Sequence, residues 1–124
     1  MNWPYKADMD NVNILYTNAR SLFNKVDKVK VAAVEYAAQI ICVTETWLNS
    51  DILDAEVAIP DYTLYREDRK NNTRYGGSAI YVHNCLEVVR LEWFDGLESL
   101  AINVKTDSHE FYLYVCTEQQ LGRL

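Results

Sequence analysis

Two polar side chains, Asn18 and Glu45, each follow an apolar run in this sequence. Asn18 ends the run Asn-Ile-Leu-Tyr-Thr-Asn of residues 13–18, and Glu45 ends the run Ile-Ile-Cys-Val-Thr-Glu of residues 40–45. Ligands collect at the carboxyl ends of parallel strands in open α/β sheets, so a carboxamide and a carboxylate delivered there could converge on one ion. The pair therefore forms a candidate metal site.

The elements that must position this pair are a strand, a helix and a second strand. Residues 12–17 alternate in the period-two pattern of a strand, and residues 40–43 form the unbroken apolar run of a strand buried on both faces. Between them, Ser21 is a candidate helix N-cap. The apolar stripe of that helix consists of Leu22, Val26, Val29, Ala33, Tyr36 and Ala37. A β-α-β unit makes the two strands parallel and puts Asn18 and Glu45 at the same edge of the sheet.

The second half of the sequence predicts strands joined by short turns. A short helical turn is expected after residues 49–51, and no helix-length pattern separates the strands that follow. Strands are predicted over residues 63–66, 78–83, 86–93, 99–105 and 111–116. The fold class that follows is α/β, with one β-α-β unit and then a mostly antiparallel meander.

Length and composition describe one globular domain or part of one. The 124 residues are 49% hydrophobic and 24% charged, and no apolar stretch approaches the roughly 20 residues of a membrane-spanning helix. The first residues lack the apolar core of a secretory signal, which predicts an intracellular protein, nuclear or cytoplasmic, that is neither secreted nor bound to a membrane. Residues 1–11 are expected to be a loose lead-in, and the three widely spaced cysteines are expected to be reduced.

The charge balance argues against indiscriminate binding to polyanions. The net charge is −6, whereas Lys and Arg contacts to phosphate supply most non-specific affinity for nucleic acid. One local basic cluster exists, and it consists of Arg66, Arg69, Lys70 and Arg74. Two interpretations are open: a DNA-binding loop, or a solvated loop whose arginines form internal ion pairs with neighbouring acids such as Glu67 and Asp68.

Four motifs in a fixed order resemble the endonuclease/exonuclease/phosphatase superfamily. They are the segments at residues 13–22 and 40–48, the Tyr-Arg-Glu-Asp-Arg of residues 65–69, and the Gly-Gly-Ser-Ala-Ile-Tyr-Val of residues 76–82. The resemblance is closest to the apurinic-endonuclease-like domain of non-LTR retrotransposons. It runs from Val12 to about Tyr114 and implies that residues 1–124 are the N-terminal half of a DNase I-like α/β sandwich.

The resemblance assigns roles to individual residues. Glu45 would bind Mg²⁺, Asn18 would help to organise the site, and Tyr114 would contact the scissile phosphate, although Val-Cys-Thr follows it where the family has a basic residue and a proline. The basic cluster would approach the DNA backbone without reading sequence. The Gly76-Gly77 pair is expected to serve backbone geometry.

The family's Gly-Asp-Phe-Asn and Ser-Asp-His segments are absent from the sequence. The implied protein is therefore a truncated Mg²⁺-dependent DNA endonuclease with negligible turnover by itself. An inner sheet face left without its partner would favour self-association. The sequence does not decide which face of the strands the relevant apolar residues take; they are Leu100, Ile102, Val104, Phe111, Leu113 and Val115.

Two other functions are compatible with the sequence. The chain could belong to another phosphoesterase branch of the superfamily, such as a repair endonuclease or a lipid phosphatase. It could also be a non-catalytic interaction module that uses the β-α-β sheet for protein contacts. A Mg²⁺ response that depends on Glu45 separates the module from the two phosphoesterases.

Overall fold

The computed structural model describes residues 12–69, 75–94, 99–107 and 109–116. Within these ranges the chain forms two sheets, one α-helix and one short 3₁₀ helix. The strands are β1 (Ile14–Asn18), β2 (Ile40–Thr44), β3 (Tyr62–Glu67), β4 (Ser78–His83), β5 (Glu87–Phe94), β6 (Ser99–Lys105) and β7 (Glu110–Cys116), the α-helix is α1 (Val26–Glu35), and the 3₁₀ helix is Asp54–Val57. The predicted lead-in of residues 1–11 lies outside the described residues.

The first sheet has the strand order β1-β2-β4-β3. β1 and β2 are parallel, and Asn18 is in register with Thr44, as the β-α-β prediction requires. β4 runs antiparallel to both β2 and β3. All five residues of β2 are buried, because the strand lies inside the sheet with a layer packed on each face. One cluster of apolar side chains, containing Leu22, Val29 and Ala33, covers the helix side of this sheet.

Helix α1 begins later than the sequence predicts. It starts at Val26, and Lys25 before it makes no side-chain cap. The prediction of Ser21 as N-cap was wrong: Ser21 has φ +87°, and its backbone N–H donates to the carbonyl of Glu45 instead. Of the predicted stripe, Tyr36 is 63% exposed, because it follows the last helical turn.

The second sheet consists of β5, β6 and β7, with antiparallel pairing throughout. It packs face to face on the first sheet: β6 contacts β3 and β4, and β7 contacts β2 and β4. The cluster between the sheets contains Ile40, Cys42, Ile80, Val82, Leu86, Leu100, Ile102, Val104 and Val115. The chain therefore forms two packed sheets within the α/β class predicted from the sequence, a β-α-β unit followed by antiparallel strands.

The prediction of an uncovered inner sheet face was wrong. Leu100, Ile102 and Val104 are fully buried against the first sheet, and Val115 is 5% exposed. Phe111 and Leu113 pack at the margin of the same cluster. The reason is that β5 does not continue the first sheet as one meander but begins a second sheet that folds over it.

Among the described residues, no helix has the length and apolar character needed to cross a membrane.

Candidate functional site

Asn18 and Glu45 lie at the same edge of the first sheet. Asn18 is the last residue of β1, and Glu45 follows the last residue of β2, whose Thr44 is the register partner of Asn18. Asn18 is exposed and Glu45 is half-buried. Within the described residues no hydrogen bond joins the Asn18 amide to the Glu45 carboxylate.

Backbone hydrogen bonds hold the loop that carries Glu45 on two sides. On one side, Ser21 N and Leu22 N donate to the carbonyls of Glu45 and Thr46, at 3.1 and 2.9 Å. On the other, Thr46 N and Trp47 N donate to the carbonyls of the glycine pair that precedes β4. Glu45 and Trp47 both have positive φ, +52° and +55°, which is uncommon for residues with a side chain. Such backbone persists only where its surroundings hold it, and here four hydrogen bonds do so.

The Glu45 carboxylate is held through one of its two oxygens. Oε2 accepts from the indole Nε1 of Trp47 at 2.8 Å and from the backbone N of Gly76 at 2.9 Å. Within the described part of the chain, Oε1 accepts no hydrogen bond. The Trp47 ring packs edge-on against the Tyr75 ring, with centroids 4.8 Å apart. The carboxylate is thus oriented by two N–H donors, and one oxygen stays available to a ligand.

Gly76 and Gly77 fit the structural role predicted for them. Both have positive φ, +85° and +89°, in the region that glycine adopts without steric cost. The α-carbon of Gly77 also lies against the side-chain oxygen of Thr46, where a Cβ would collide with it. The glycine pair therefore lets the chain before β4 approach the Glu45 loop closely enough to bond with it.

The donors at this edge suit a hard divalent cation. A carboxylate oxygen and an exposed amide are oxygen ligands, which Mg²⁺ prefers while retaining several of its waters. Within the residues that the structure describes, no group of three or more His, Cys, Asp or Glu side chains forms a metal site. One carboxylate, with an amide at the same sheet edge, fits at most a weak and largely hydrated Mg²⁺ site.

Arg66 is held inside the protein rather than presented to solvent. Its guanidinium donates five hydrogen bonds: two to Asp68, one to Asp54 and one each to the carbonyls of Asn49 and Ile52. Burial by itself lowers the pKa of Arg66, but the bonds to Asp68 and Asp54 outweigh burial and raise that pKa above its ordinary value. For Arg66 the structure agrees with the internal ion-pair interpretation: this side chain fastens the 3₁₀ region to the end of β3.

The other residues of the basic cluster are only partly described. Arg69 is half-buried just after β3, whereas Lys70 and Arg74 lie outside the described residues. Their predicted contact with the DNA backbone stays a prediction.

Tyr114 lies within β7, on the face of the second sheet that points away from the inter-sheet cluster. Its side chain is 57% exposed, since Leu113 and Val115 take the inward positions of the alternating strand. The hydroxyl donates to Ser99 Oγ at 3.1 Å, and the ring packs near Phe94. None of these contacts brings Tyr114 to Glu45, and its catalytic role stays a prediction.

His83 lies at the far end of β4, at the sheet edge opposite Glu45. It is in register with Tyr62, whereas Ser78 at the other end of β4 pairs with Thr44. Its Nδ1 accepts from the backbone N of Cys85 at 3.0 Å, so His83 is held in its neutral form. Burial lowers the pKa of His83, and Asp61 offsets part of that effect. His83 is therefore a structural residue and not part of the Glu45 edge.

Trp47 is the site residue that sequence reasoning missed. It stands two positions after Glu45, and a strand continuation would have placed both side chains on the same face of the sheet. The positive φ values at Glu45 and Trp47 turn the chain back instead. The only signal in the sequence was the aromatic residue beside a candidate metal ligand, and that signal is weak without the backbone geometry.

The fold is shared with solved structures of nucleases and phosphatases. An AP endonuclease from Leishmania major matches with a TM-score of 0.64 and 18% identity, covering 83% of this chain and 39% of its own. A 3′ phosphatase from Neisseria, bound to a product DNA hairpin, matches with a TM-score of 0.61 and 15% identity, covering 82% of this chain and 40% of its own. A humanized D. rerio TDP2 matches with a TM-score of 0.61 and 12% identity, covering 88% and 49%.

At these identities the likeness shows the fold, which is the DNase I-like sandwich expected from the sequence motifs. The chain spans between about two-fifths and a half of the length of these structures. No protein-family model and no curated protein matches the sequence.

Proposed function

We propose that this chain is the metal-binding half of a Mg²⁺-dependent DNA endonuclease domain of the non-LTR retrotransposon type. The observation that carries the proposal is the Glu45 carboxylate at the carboxyl edge of β2, which is oriented through Oε2 and accepts no hydrogen bond at Oε1 from the residues that the structure describes. The residue sequences around Asn18 and Glu45 support the retrotransposon branch. The segments Thr-Asn-Ala-Arg-Ser and Thr-Glu-Thr-Trp-Leu resemble that branch more closely than they resemble other branches.

The residues of this edge have separable roles in the proposal. Glu45 holds the cation through Oε1, and the exposed Asn18 amide hydrogen-bonds phosphate or a cation-bound water without adding charge. When bound, Mg²⁺ supplies charge stabilisation to the phosphate oxygens during phosphodiester hydrolysis. Arg69, Lys70 and Arg74 contact the DNA backbone and fix its register. Arg66 is left out of this set because its donors are already used within the protein.

We expect negligible turnover from this chain by itself. The groups that would activate water and stabilise the developing charge belong to the Gly-Asp-Phe-Asn and Ser-Asp-His segments, which the sequence lacks. Each such group contributes roughly 10²- to 10⁴-fold to the rate, so losing both abolishes measurable hydrolysis.

A supercoiled-plasmid nicking assay with Mg²⁺ tests the proposal. It compares this chain with a longer version that carries both missing segments. We expect the longer version to nick the plasmid and this chain not to nick it. In the longer version, Glu45→Gln should abolish nicking while preserving the folded structure. Absence of nicking by both chains contradicts the endonuclease function.

A second candidate function is another phosphoesterase activity of the same fold. The Neisseria 3′ phosphatase and the D. rerio TDP2 match this chain about as well as the Leishmania AP endonuclease does. Substrates separate these candidates: intact plasmid, DNA with an abasic site, DNA with a 3′ phosphate, and a phosphoinositide should each be offered to the longer version. Preference for any substrate other than intact plasmid would replace the retrotransposon assignment.

A further inference from the structure

One of the two carboxylate oxygens of Glu45 is fully engaged by the protein. Oε2 accepts from Trp47 Nε1 and from Gly76 N, both within 2.9 Å. The backbone donor comes from the chain before β4, and the indole donor comes from the same loop as Glu45 itself. Two N–H groups converging on one oxygen fix the carboxylate rotamer, and among the described residues the other oxygen accepts no hydrogen bond.

Trp47 is itself held firmly enough to act in this way. Its backbone N donates to the carbonyl of Gly76 at 2.8 Å. Its ring meets Tyr75 edge-on, at an interplanar angle of 83°. Since both the backbone and the ring are fixed, the indole N–H keeps its direction toward Oε2.

We infer that Trp47 is a positioning residue that makes Glu45 a ligand through Oε1 alone. The inference rests on the proposed function, because it concerns how Glu45 meets the cation. Groups that hydrogen-bond a ligating side chain orient it and tune its affinity for the metal, and removing such a group commonly weakens binding by about 10- to 100-fold.

The inference also predicts which cation the edge prefers. Mg²⁺ demands near-ideal octahedral geometry and takes single carboxylate oxygens, whereas Ca²⁺ accepts a carboxylate through both of its oxygens. With Oε2 occupied by two N–H donors, two-oxygen binding is disfavoured. Trp47 therefore biases the site toward Mg²⁺ over Ca²⁺.

The test uses Trp47→Phe, which keeps an aromatic ring against Tyr75 and removes the N–H donor. Mg²⁺ and Ca²⁺ are titrated separately into ¹⁵N-labelled protein, and the amide resonance of Gly76 is followed by NMR. We expect the variant to bind Mg²⁺ about 10-fold more weakly, with a smaller loss for Ca²⁺. Trp93→Phe is the matched control, because Trp93 is a half-exposed tryptophan on β5 of the second sheet. It should change neither affinity.

The wild-type protein provides a second measurement that does not require the variant to fold. The indole Nε1 resonance of Trp47 should shift on addition of Mg²⁺ with the same dissociation constant as the Gly76 amide. Glu45→Gln should abolish both shifts. If the indole resonance stays fixed while the Gly76 amide responds, the inference is overturned.

Different results would contradict the role of Trp47 and the proposed function. Equal Mg²⁺ affinity and an equal ratio of Mg²⁺ to Ca²⁺ affinity in wild type and Trp47→Phe would overturn the role of Trp47 and leave the proposed function standing. Absence of any Mg²⁺ response in the wild type would overturn both. Melting temperatures measured in EDTA show whether each variant is folded before the cation is added.

Discussion

The Thr46 hydroxyl oxygen lies where a side chain at Gly77 would have to begin. Gly77 also has φ +89°, so both the space and the backbone conformation exclude other residues. We expect Gly77→Ala to lower the free energy of unfolding by about 1–3 kcal/mol, since strained positive φ alone costs on that order. Urea denaturation measures this change.

The double variant Thr46→Ala/Gly77→Ala divides that loss into two parts. Removing Oγ1 relieves the collision and keeps the backbone strain, so the double variant should be more stable than the sum of the two single changes predicts. If the losses of stability from the two single changes simply added, the contact between Thr46 and residue 77 would not contribute to the cost of Gly77→Ala.

Arg66 should contribute to stability through the fork geometry of its guanidinium. It pairs with both oxygens of Asp68, at 3.1 and 2.7 Å, and its side chain is only 15% exposed. Lysine keeps the charge but cannot reproduce these bonds or the two to backbone carbonyls. We expect Arg66→Lys to lower the free energy of unfolding by about 1–3 kcal/mol.

Arg90→Lys is the matched control for that measurement. Arg90 pairs with Glu92, and its side chain is 62% exposed, so its loss should cost less than about 0.5 kcal/mol. Equal costs at the two arginines would contradict the anchoring role of Arg66.

His83 should make stability depend on pH near neutrality. Because burial lowers its pKa below 6.5, the unfolded chain binds a proton at this residue that the folded chain does not. His83 therefore stabilises the fold least at low pH, and the free energy of unfolding should fall as pH drops from 7.5 to 5.5. Chemical denaturation at a series of pH values measures the slope.

His83→Asn tests that assignment, because its amide oxygen can accept the Cys85 N–H that Nδ1 accepts now. The variant should lose part of the slope. His109→Gln is the control, since His109 is exposed in the turn before β7. A slope that survives in His83→Asn and disappears in His109→Gln would refute the prediction.

Tyr114→Phe separates the two roles open to Tyr114. As a surface residue it loses only the bond to Ser99 Oγ, worth about 0.5–1.5 kcal/mol of unfolding free energy. If Tyr114 contacts the scissile phosphate, the same change in the longer nicking-competent chain should slow cleavage by at least tenfold with the KM for DNA unchanged. Because the side chain points outward, we expect Tyr114→Phe to lower the free energy of unfolding by that amount and to leave the nicking rate unaltered.

Much of the fold could be predicted from the sequence because the alternation of side chains is strong. The strands Ser78–His83 and Ser99–Lys105 have the boundaries that their patterns predict. The parallel pairing of β1 and β2 followed from the crossover rule, and it correctly put Asn18 and Glu45 at one edge.

The errors concern relationships between distant segments. Alternation shows which residues of β5 share a face, but it does not show whether β5 extends the first sheet or starts another. The partners of Arg66 at Asn49, Ile52 and Asp54 are 12 to 17 positions away in sequence. They meet the guanidinium only because the 3₁₀ region folds back along β3, which no local pattern records.

The cluster between the two sheets has a consequence for synthesis on the ribosome. Its buried members come from β2, β4, β6 and β7 and from Leu86 before β5, and Val115 is the last of them along the chain. A nascent polypeptide therefore cannot complete this interior until Val115 has left the exit tunnel. Because chains emerge vectorially, the apolar residues of β2 and β4 lack part of their cover until that moment, which is when the chain is most exposed to aggregation.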